Sequence, residues 1–448
     1  MKERRERLMA RLGRLTAFQR IVLGFAGVIL LGGLLLTLPP AAADGRWTPF
    51  PDALFTSVSA VCVTGLVVTD TATHWSGFGQ AILLLLIQIG GLGVLTVAAA
   101  VSRFTGQRIT LGQRSAMREA MAAPKLGGIV GFVGFAVRVT LIAETLGMLL
   151  LLPVFCRDFG ARGIWMALFH SVSAFCNAGF DLMGSTEAFS SLTAYRATCS
   201  VNLVIMALII FGGIGFATWE DVKTHRFRLR RYRMQSKVIL TAASILILVP
   251  AICFFFLEFQ DLPAGERILA SLFQSVTTRT AGFNTADLGK ISGAARGAMI
   301  LLMLVGGAPG STAGGMKTTT LAVLLASTLS VFRRREDVRF FGRRVEQGTV
   351  RTAAAVGMLD LTLFFGGAIL ISLAEGLPMD CCLFETASAV GTVGLSLGLT
   401  PTLGGFSRVV LMVLMFLGRV GGLTMIYAAG SGPDRTPARL PVEQITVG

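Results

Sequence analysis

Long apolar runs alternate with short polar connections along the whole chain. Stretches able to cross roughly 30 Å of hydrocarbon, about 20 residues of helix, occur near 20–38, 77–101, 128–152, 197–218, 237–257, 296–329, 349–373 and 405–429. The pattern predicts eight membrane-spanning helices. Four of the connections, all on one side, hold a second kind of element: an amphipathic stretch of about ten residues followed by a glycine-centred turn. A helix of that length is only about 15 Å long, half a bilayer, so it can only dip in and return. The expectation is an all-α polytopic membrane protein in which span, half-helix, turn and span recur four times. The units run over 1–101, 128–218, 237–329 and 349–430, with a tail at 431–448. A basic leader and Ala41-Ala42-Ala43 imitate a signal peptide and its cleavage site, but the seven spans that follow favour a retained first helix.

The four dips read "LFTSVSAVCVTGLVV" (54–68), "LFHSVSAFCNAGFDL" (168–182), "LFQSVTTRTAGFNT" (272–285) and "LFETASAVGTVGLSL" (383–397). Aligned on the glycine, they place Gly65, Gly179, Gly282 and Gly394 at a period near 110, far longer than solenoid repeats. The third is one residue shorter between Phe and Gly. Arranged around an axis, four such dips could wall a narrow passage, and a cation filter asks for rings of backbone carbonyls in place of the ion's water. Glycine permits the backbone conformations such a ring needs. Half-helices with their C-terminal ends toward the membrane centre would bring about −0.5 charge each. For any one turn, an ordinary interfacial loop explains the glycine equally well; four in register argue against coincidence.

The sixth span is interrupted by "LVGGAPGSTAGGMKTTT" (304–320), with Gly306, Gly307, Pro309, Gly310, Gly314 and Gly315 where a helix should be most regular. Irregular backbone at membrane depth is tolerated where it is buried or lines a watery cavity. Two readings stand: a flexible plug beneath the third turn, or a packing kink that lets helices approach. The near-match to a phosphate loop fails, since Met316 separates Gly315 from Lys317 and no strand precedes it. Arg419 in the last span should face the interior or a cavity, with Asp360 a conceivable partner. Arg138 and Glu144, six residues apart, do not share a helical face and read as structural. Arg279 sits inside the third turn and should point away from a cation path, bracing the turn from behind. Asn177 and Thr64 could lend side-chain oxygens, although such groups more often bond the backbone.

Composition agrees: 53% of the residues are hydrophobic and 15% charged, against about 25% charged in soluble domains. Seven cysteines without a C-x-x-C pair and three scattered histidines give no disulfide framework or zinc spacing. A membrane enzyme would need clustered acids or histidines in its spans; only Glu144 and Asp360 are there. A secondary transporter with a midplane site would show one or two paired helix breaks rather than four dips. The net charge of +15 is positional: five segments on the side opposite the dips hold 28 of the 40 Lys and Arg. That distribution predicts cytoplasmic termini rather than a nucleic-acid surface.

The four turns, above all "TTRTAGFN" and "GTVGLS", resemble the membrane subunits of the Trk/Ktr/HKT cation transporters, closest to the Ktr type, over nearly the whole chain, including the ending "PVEQITVG". The resemblance implies a K⁺ pathway with one filter glycine per repeat (Gly65, Gly179, Gly282, Gly394). It implies flanking carbonyls from Val63, Thr64, Asn177, Ala178, Thr280, Ala281, Thr392 and Val393. It also implies an intramembrane gating loop at 306–315 with Lys317, and Arg419 as an electrostatic barrier beside it. Glycine at all four positions points to K⁺ over Na⁺; a Na⁺ or non-selective monovalent cation transporter of the same family is the alternative. The family further implies no organic cofactor on this chain, stimulation by Na⁺, a homodimer in the lipid of a bacterial inner membrane, and a cytoplasmic ring of regulatory subunits binding adenine nucleotides or NAD(H).

Overall fold

A computed structural model describes residues 16–94, 96–99, 111–121, 128–226 and 228–429; the basic leader and the "PVEQITVG" tail lie outside them. The described chain is mostly helical. Among the described residues, four helices are long and apolar enough to cross a membrane alone: α1 (Ala17–Thr37), α5 (Ile129–Phe159), α9 (Met234–Leu257) and α13 (Gln347–Glu375). Leu30, Leu31, Leu141, Ile142, Leu248 and Ile252 on these helices are exposed, as expected of side chains that meet lipid rather than water.

Each of these helices is followed by a shorter buried one: α2 (Phe50–Val61), α6 (Arg162–Phe175), α10 (Ala264–Thr277) and α14 (Met379–Gly391), with α4 (Leu111–Ala120) lying between the first and second units. The Leu-Phe pair, followed two residues on by Ser in three units and Thr in the fourth, explains their seating. Phe55, Phe169, Phe273 and Phe384 are fully buried. Two residues on, Ser57, Ser171 and Ser275 donate to the carbonyls of Ile29, Glu144 and Ile247 on the preceding long helix, at 2.7, 2.6 and 2.6 Å. In the fourth unit Thr386 bonds Cys382 of its own helix instead, at 2.9 Å.

The helix that closes each unit departs from the sequence expectation. One interruption was predicted, in the sixth span; in the structure the closing helix of every unit is interrupted. α3 (Gly77–Leu92) stops at Gly93, α7 (Cys199–Gly213) meets α8 (Phe216–His225) at 95° around Gly215, and α15 (Gly405–Val420) meets α16 (Gly422–Ala429) at Gly421. These three glycines adopt φ +86°, +90° and +88° with extended ψ, a conformation open to glycine. α11 (Gly293–Met303) and α12 (Thr318–Phe332) are separated by the whole 304–317 segment. A single glycine leaves hydropathy unchanged, so these breaks are invisible to a search for apolar runs.

Polar clasps join successive units at the dip side. Acids in the first turns of α10, α14 and α2, where a helix N-terminus favours negative charge, pair with arginines of the unit before: Glu266 with Arg196 (3.3 Å), Asp380 with Arg296 (2.8 Å) and Asp52 with Arg408 (2.7 Å). Between the first two units, Trp165 donates to Gln80 at 2.9 Å. The fourth unit thus closes on the first.

Candidate ion pathway

The turns after α2, α6, α10 and α14 meet in order around one point. A Cβ placed on Gly65 would lie 2.5 Å from the Ala178 carbonyl oxygen, one on Gly179 2.8 Å from that of Ala281, one on Gly282 2.5 Å from that of Val393, and one on Gly394 2.1 Å from that of Thr64. Each glycine therefore abuts the residue preceding the next glycine, and the circuit closes. The glycines adopt φ between +69° and +93°. Two residues earlier, Val63, Asn177, Thr280 and Thr392 also have positive φ, +50° to +68°. For β-branched residues this costs of order 1–3 kcal/mol each and marks a backbone held by its surroundings.

Those surroundings are repeated. The amides of Thr64, Ala178 and Val393 donate to carbonyls five residues back, Ser59, Ser173 and Ser388, all at 2.8 Å; in the shorter third turn Ala281 reaches four back to Thr277 at 3.0 Å. The same Ser or Thr position also supplies its side chain. Ser59 and Ser388 accept from the amides of Gly65 and Gly394 (3.0 Å each), while Ser173 and Thr277 donate to the carbonyls of Phe180 and Phe283 (2.7 and 2.5 Å). A second rank follows the Leu-Phe pair. His170 accepts the Leu182 amide at 3.3 Å, and Glu385 accepts the Leu397 amide (3.0 Å) and the hydroxyls of Ser396 (2.6 Å) and Thr400 (2.7 Å). Gln274 donates to Asn284 at 2.8 Å, whereas Thr56 only bonds back to Asp52. Sequence reasoning missed both ranks, although a polar residue at a fixed offset in every aligned dip was there to be seen.

With the amides of Thr64, Ala178, Ala281 and Val393 and the Ser or Thr rank committed to bracing, the turn carbonyls are left over. Among the described residues those of 63–65, 177–179, 280–282 and 392–394 accept no hydrogen bond. The hydroxyls of Thr64, Thr280 and Thr392 are buried without a partner as well. Buried acceptors are almost always satisfied, so a ring of orphaned oxygens fits a desolvated cation. Asn177 is different: its amide nitrogen donates to the carbonyls of Ile209 (3.2 Å) and Ala174 (3.1 Å). Arg279 lines a small apolar cavity with Ile209, Ile214, Ile247 and Gly307, and its Nε has no partner.

All four glycines open onto one cavity of about 380 Å³ on the dip side, whose wall includes Asp70, Asp181, Ser191 and Asn284. Burial pushes the Asp181 carboxyl up to about 6, and the Asp70 carboxylate adds to the rise. Asp70 accepts from the amides of Ala72 and Thr73 (3.0 Å each) and from that of Phe189 (2.9 Å).

On the opposite side of the ring lies the 304–317 segment. Because α3, α7 and α15 end at glycines, carbonyls near their ends are open to other donors, which the segment and Arg419 supply. Ala308 and Thr312 donate from their amides to Gly213 (2.9 Å) and Gly212 (3.2 Å), Gly315 to Gly418 (3.1 Å), and the Thr312 hydroxyl to Phe175 (2.9 Å). Arg419 donates to the carbonyls of Thr312, Gly90 and Gly91. The segment is thus tied directly to the second and fourth units and, through Arg419, to the first, and Gly314 sits against the Thr392 side chain, where a Cβ would lie 2.2 Å from its hydroxyl. Arg419 bonds carbonyls and makes no ion pair with Asp360 among the described residues, contrary to the pairing weighed from sequence; the charge that acts on Asp360 is Lys317, whose ammonium donates to Ala313 at 2.9 Å. Glu144 is buried and accepts from Gln88 at 3.3 Å, while Arg138 bonds Gly134 in its own helix at 3.0 Å.

Comparison with known proteins agrees with this geometry. The family model described as "TrkH: Cation transport protein" matches residues 17–432. The chain is 37% identical to the potassium/sodium uptake protein NtpJ of Enterococcus hirae, over 97% of this chain and 98% of that one. It is 36% identical to the Ktr system potassium uptake protein B of Bacillus subtilis, over 97% of each. The crystal structure of the potassium transporter TrkH from Vibrio parahaemolyticus shares the fold, with a TM-score of 0.73 at 18% identity over 92% of this chain and 84% of that one. A ring of unpartnered carbonyls on a helical membrane scaffold, matched by a family model over nearly its whole length, places this chain in the TrkH family of cation transport proteins.

Proposed function

We propose that this chain takes up K⁺ across the bacterial cytoplasmic membrane, through a filter made by Val63 to Gly65, Asn177 to Gly179, Thr280 to Gly282 and Thr392 to Gly394. The single observation that carries this reading is the closed ring of glycine turns whose carbonyls accept no hydrogen bond. The potassium uptake named for relatives at 36–37% identity supports the choice of ion. The working arrangement is eight spans, four of them broken, plus four re-entrant helices in the repeats 1–101, 128–218, 237–329 and 349–430, followed by the 431–448 tail, with both termini cytoplasmic. Segment 306–315 is the gate: Gly306, Gly307, Pro309, Gly310, Gly314 and Gly315 give it a helix-free backbone, and Lys317 and Arg419 put positive charge and hydrogen bonds at its edge.

The naming of relatives as Ktr system proteins supports a partner subunit; in this reading the protein works as a homodimer, and the partner is a cytoplasmic ring that binds adenine nucleotides or NAD(H). Arg279 braces the third turn from behind. A K⁺/Na⁺ reading has its own support in the name of the Enterococcus relative, and Na⁺ stimulation belongs with it. Uptake of ⁸⁶Rb⁺ into K⁺-loaded liposomes, with and without the regulatory ring, tests the proposal. Uptake suppressed by external K⁺ but not Na⁺, and lost in Gly282→Asp, is expected. Equal suppression by both ions favours the K⁺/Na⁺ reading, and no uptake with the ring present contradicts both.

A further inference from the structure

The side of the molecule away from the ring carries a feature that ion conduction does not use. α9 and α12 splay apart to leave an apolar groove of about 270 Å³, walled by Val238, Ile245, Leu321, Leu325, Phe340 and Phe341. The two phenylalanines come from a hairpin, β1 (Arg339–Phe340) and β2 (Arg343–Arg344), turned by Phe341 and Gly342, both at positive φ as a two-residue hairpin turn prefers. The hairpin caps one end of the groove, and the same end is basic. Arg343 stands directly opposite Phe340 in the ladder and so projects from the same face. The Lys237 ammonium lies 5.9 Å from the Phe341 ring and bonds the Arg230 carbonyl at 2.9 Å. Of the acids nearby, Asp337 is occupied by Arg339 at 3.6 Å, and Glu346 lies beyond the hairpin.

We propose that this groove is a binding site for an anionic phospholipid, one acyl chain lying between α9 and α12 and the phosphate held by Lys237 and Arg343. An acyl chain gains little by leaving other acyl chains for an apolar groove, so selectivity has to come from the headgroup, and basic pockets between helices at the cytoplasmic side supply it. A second copy of this chain is a poor occupant, since a two-fold contact would set one basic collar against another. The site also touches the gate segment. Thr318 lines the groove, and its amide and hydroxyl hold the carbonyls of Gly307 (3.0 Å) and Gly306 (3.3 Å). A bound chain therefore rests against the residue that anchors the downstream end of that segment. The inference relies on the membrane topology proposed above but not on transport.

Native mass spectrometry of the full-length protein, in mild detergent with equal excesses of phosphatidylglycerol and phosphatidylcholine, tests it without reference to flux. The intact protein should retain phosphatidylglycerol in preference to phosphatidylcholine. The double variant Lys237→Gln with Arg343→Gln, at exposed or half-exposed positions, should lose about 10-fold of the phosphatidylglycerol retention and none of the phosphatidylcholine background. Ala326→Phe, which fills the groove and leaves the collar intact, should lower it too. Equal retention of the two lipids by the intact protein, or phosphatidylglycerol retention unchanged in both variants, overturns the proposal.

Discussion

At the level of single residues, what the ring requires is backbone shape. Gly65 has φ +90° and no room for a Cβ. Gly65→Ala sets a left-handed cost of about 1–2 kcal/mol beside a carbonyl clash, and should reduce ⁸⁶Rb⁺ uptake about 10-fold or more while the purified protein still elutes as a folded species. Glu385 is the most heavily used brace. Glu385→Ala strands the Leu397 amide and two hydroxyls, each worth about 1–3 kcal/mol when buried unpaired; thermal unfolding in detergent should show the loss, and Glu385→Gln should recover part of it. At the cavity on the dip side, external in the proposed topology, the sign of the pH effect follows from Asp181. With its carboxyl raised to about 6, the fold favours the protonated acid, so this residue's contribution to stability is present at low pH and lost as pH rises past 6, while its charge is absent below 6. Lowering external pH from 7.5 to 5 should therefore slow uptake about 2-fold, the scale of one unit charge several Å away in water, and Asp181→Asn should flatten that profile.

Helices and loops were unequally legible from sequence. The short helices before the turns could be placed because Leu-Phe and a glycine turn recur in each, and the structure shows the use of each: a buried Phe, a braced turn, and in three of the four a Ser tied to the long helix. The glycine breaks at 93, 215 and 421 were hidden, because an apolar run reads the same whether or not one residue adopts positive φ. The interruption at 304–317 was evident from its composition, yet its partners were not: Gly212, Gly213 and Gly418 lie far away in sequence and offer carbonyls that only a broken helix exposes. That lattice makes a specific expectation for Arg419. Arg419→Gln removes the charged hydrogen bond to Thr312, worth about 1.5–3 kcal/mol, and with it the bridge from the 304–317 segment to Gly90 and Gly91, and basal ⁸⁶Rb⁺ flux should rise about 10-fold in liposomes. Unchanged flux in a folded variant would remove the gating role.

Seen as a whole, the molecule is a ring made by one chain. Carbonyl follows glycine from the first unit to the fourth and back to the first, and the outer clasps Arg196–Glu266, Arg296–Asp380 and Arg408–Asp52 repeat the same order. Four non-identical units allow each turn its own brace, from the three acceptor bonds on Glu385 to the self-bonded Thr56. The central claim is that the orphaned oxygens exist to hold a cation. Anomalous scattering from crystals of the protein grown in Rb⁺ tests it most directly. The account predicts a peak on the ring axis within coordination distance of the carbonyls of Thr64, Ala178, Ala281 and Val393. Rb⁺ density confined to other parts of the molecule, with those carbonyls bonded to protein or left bare, would contradict it.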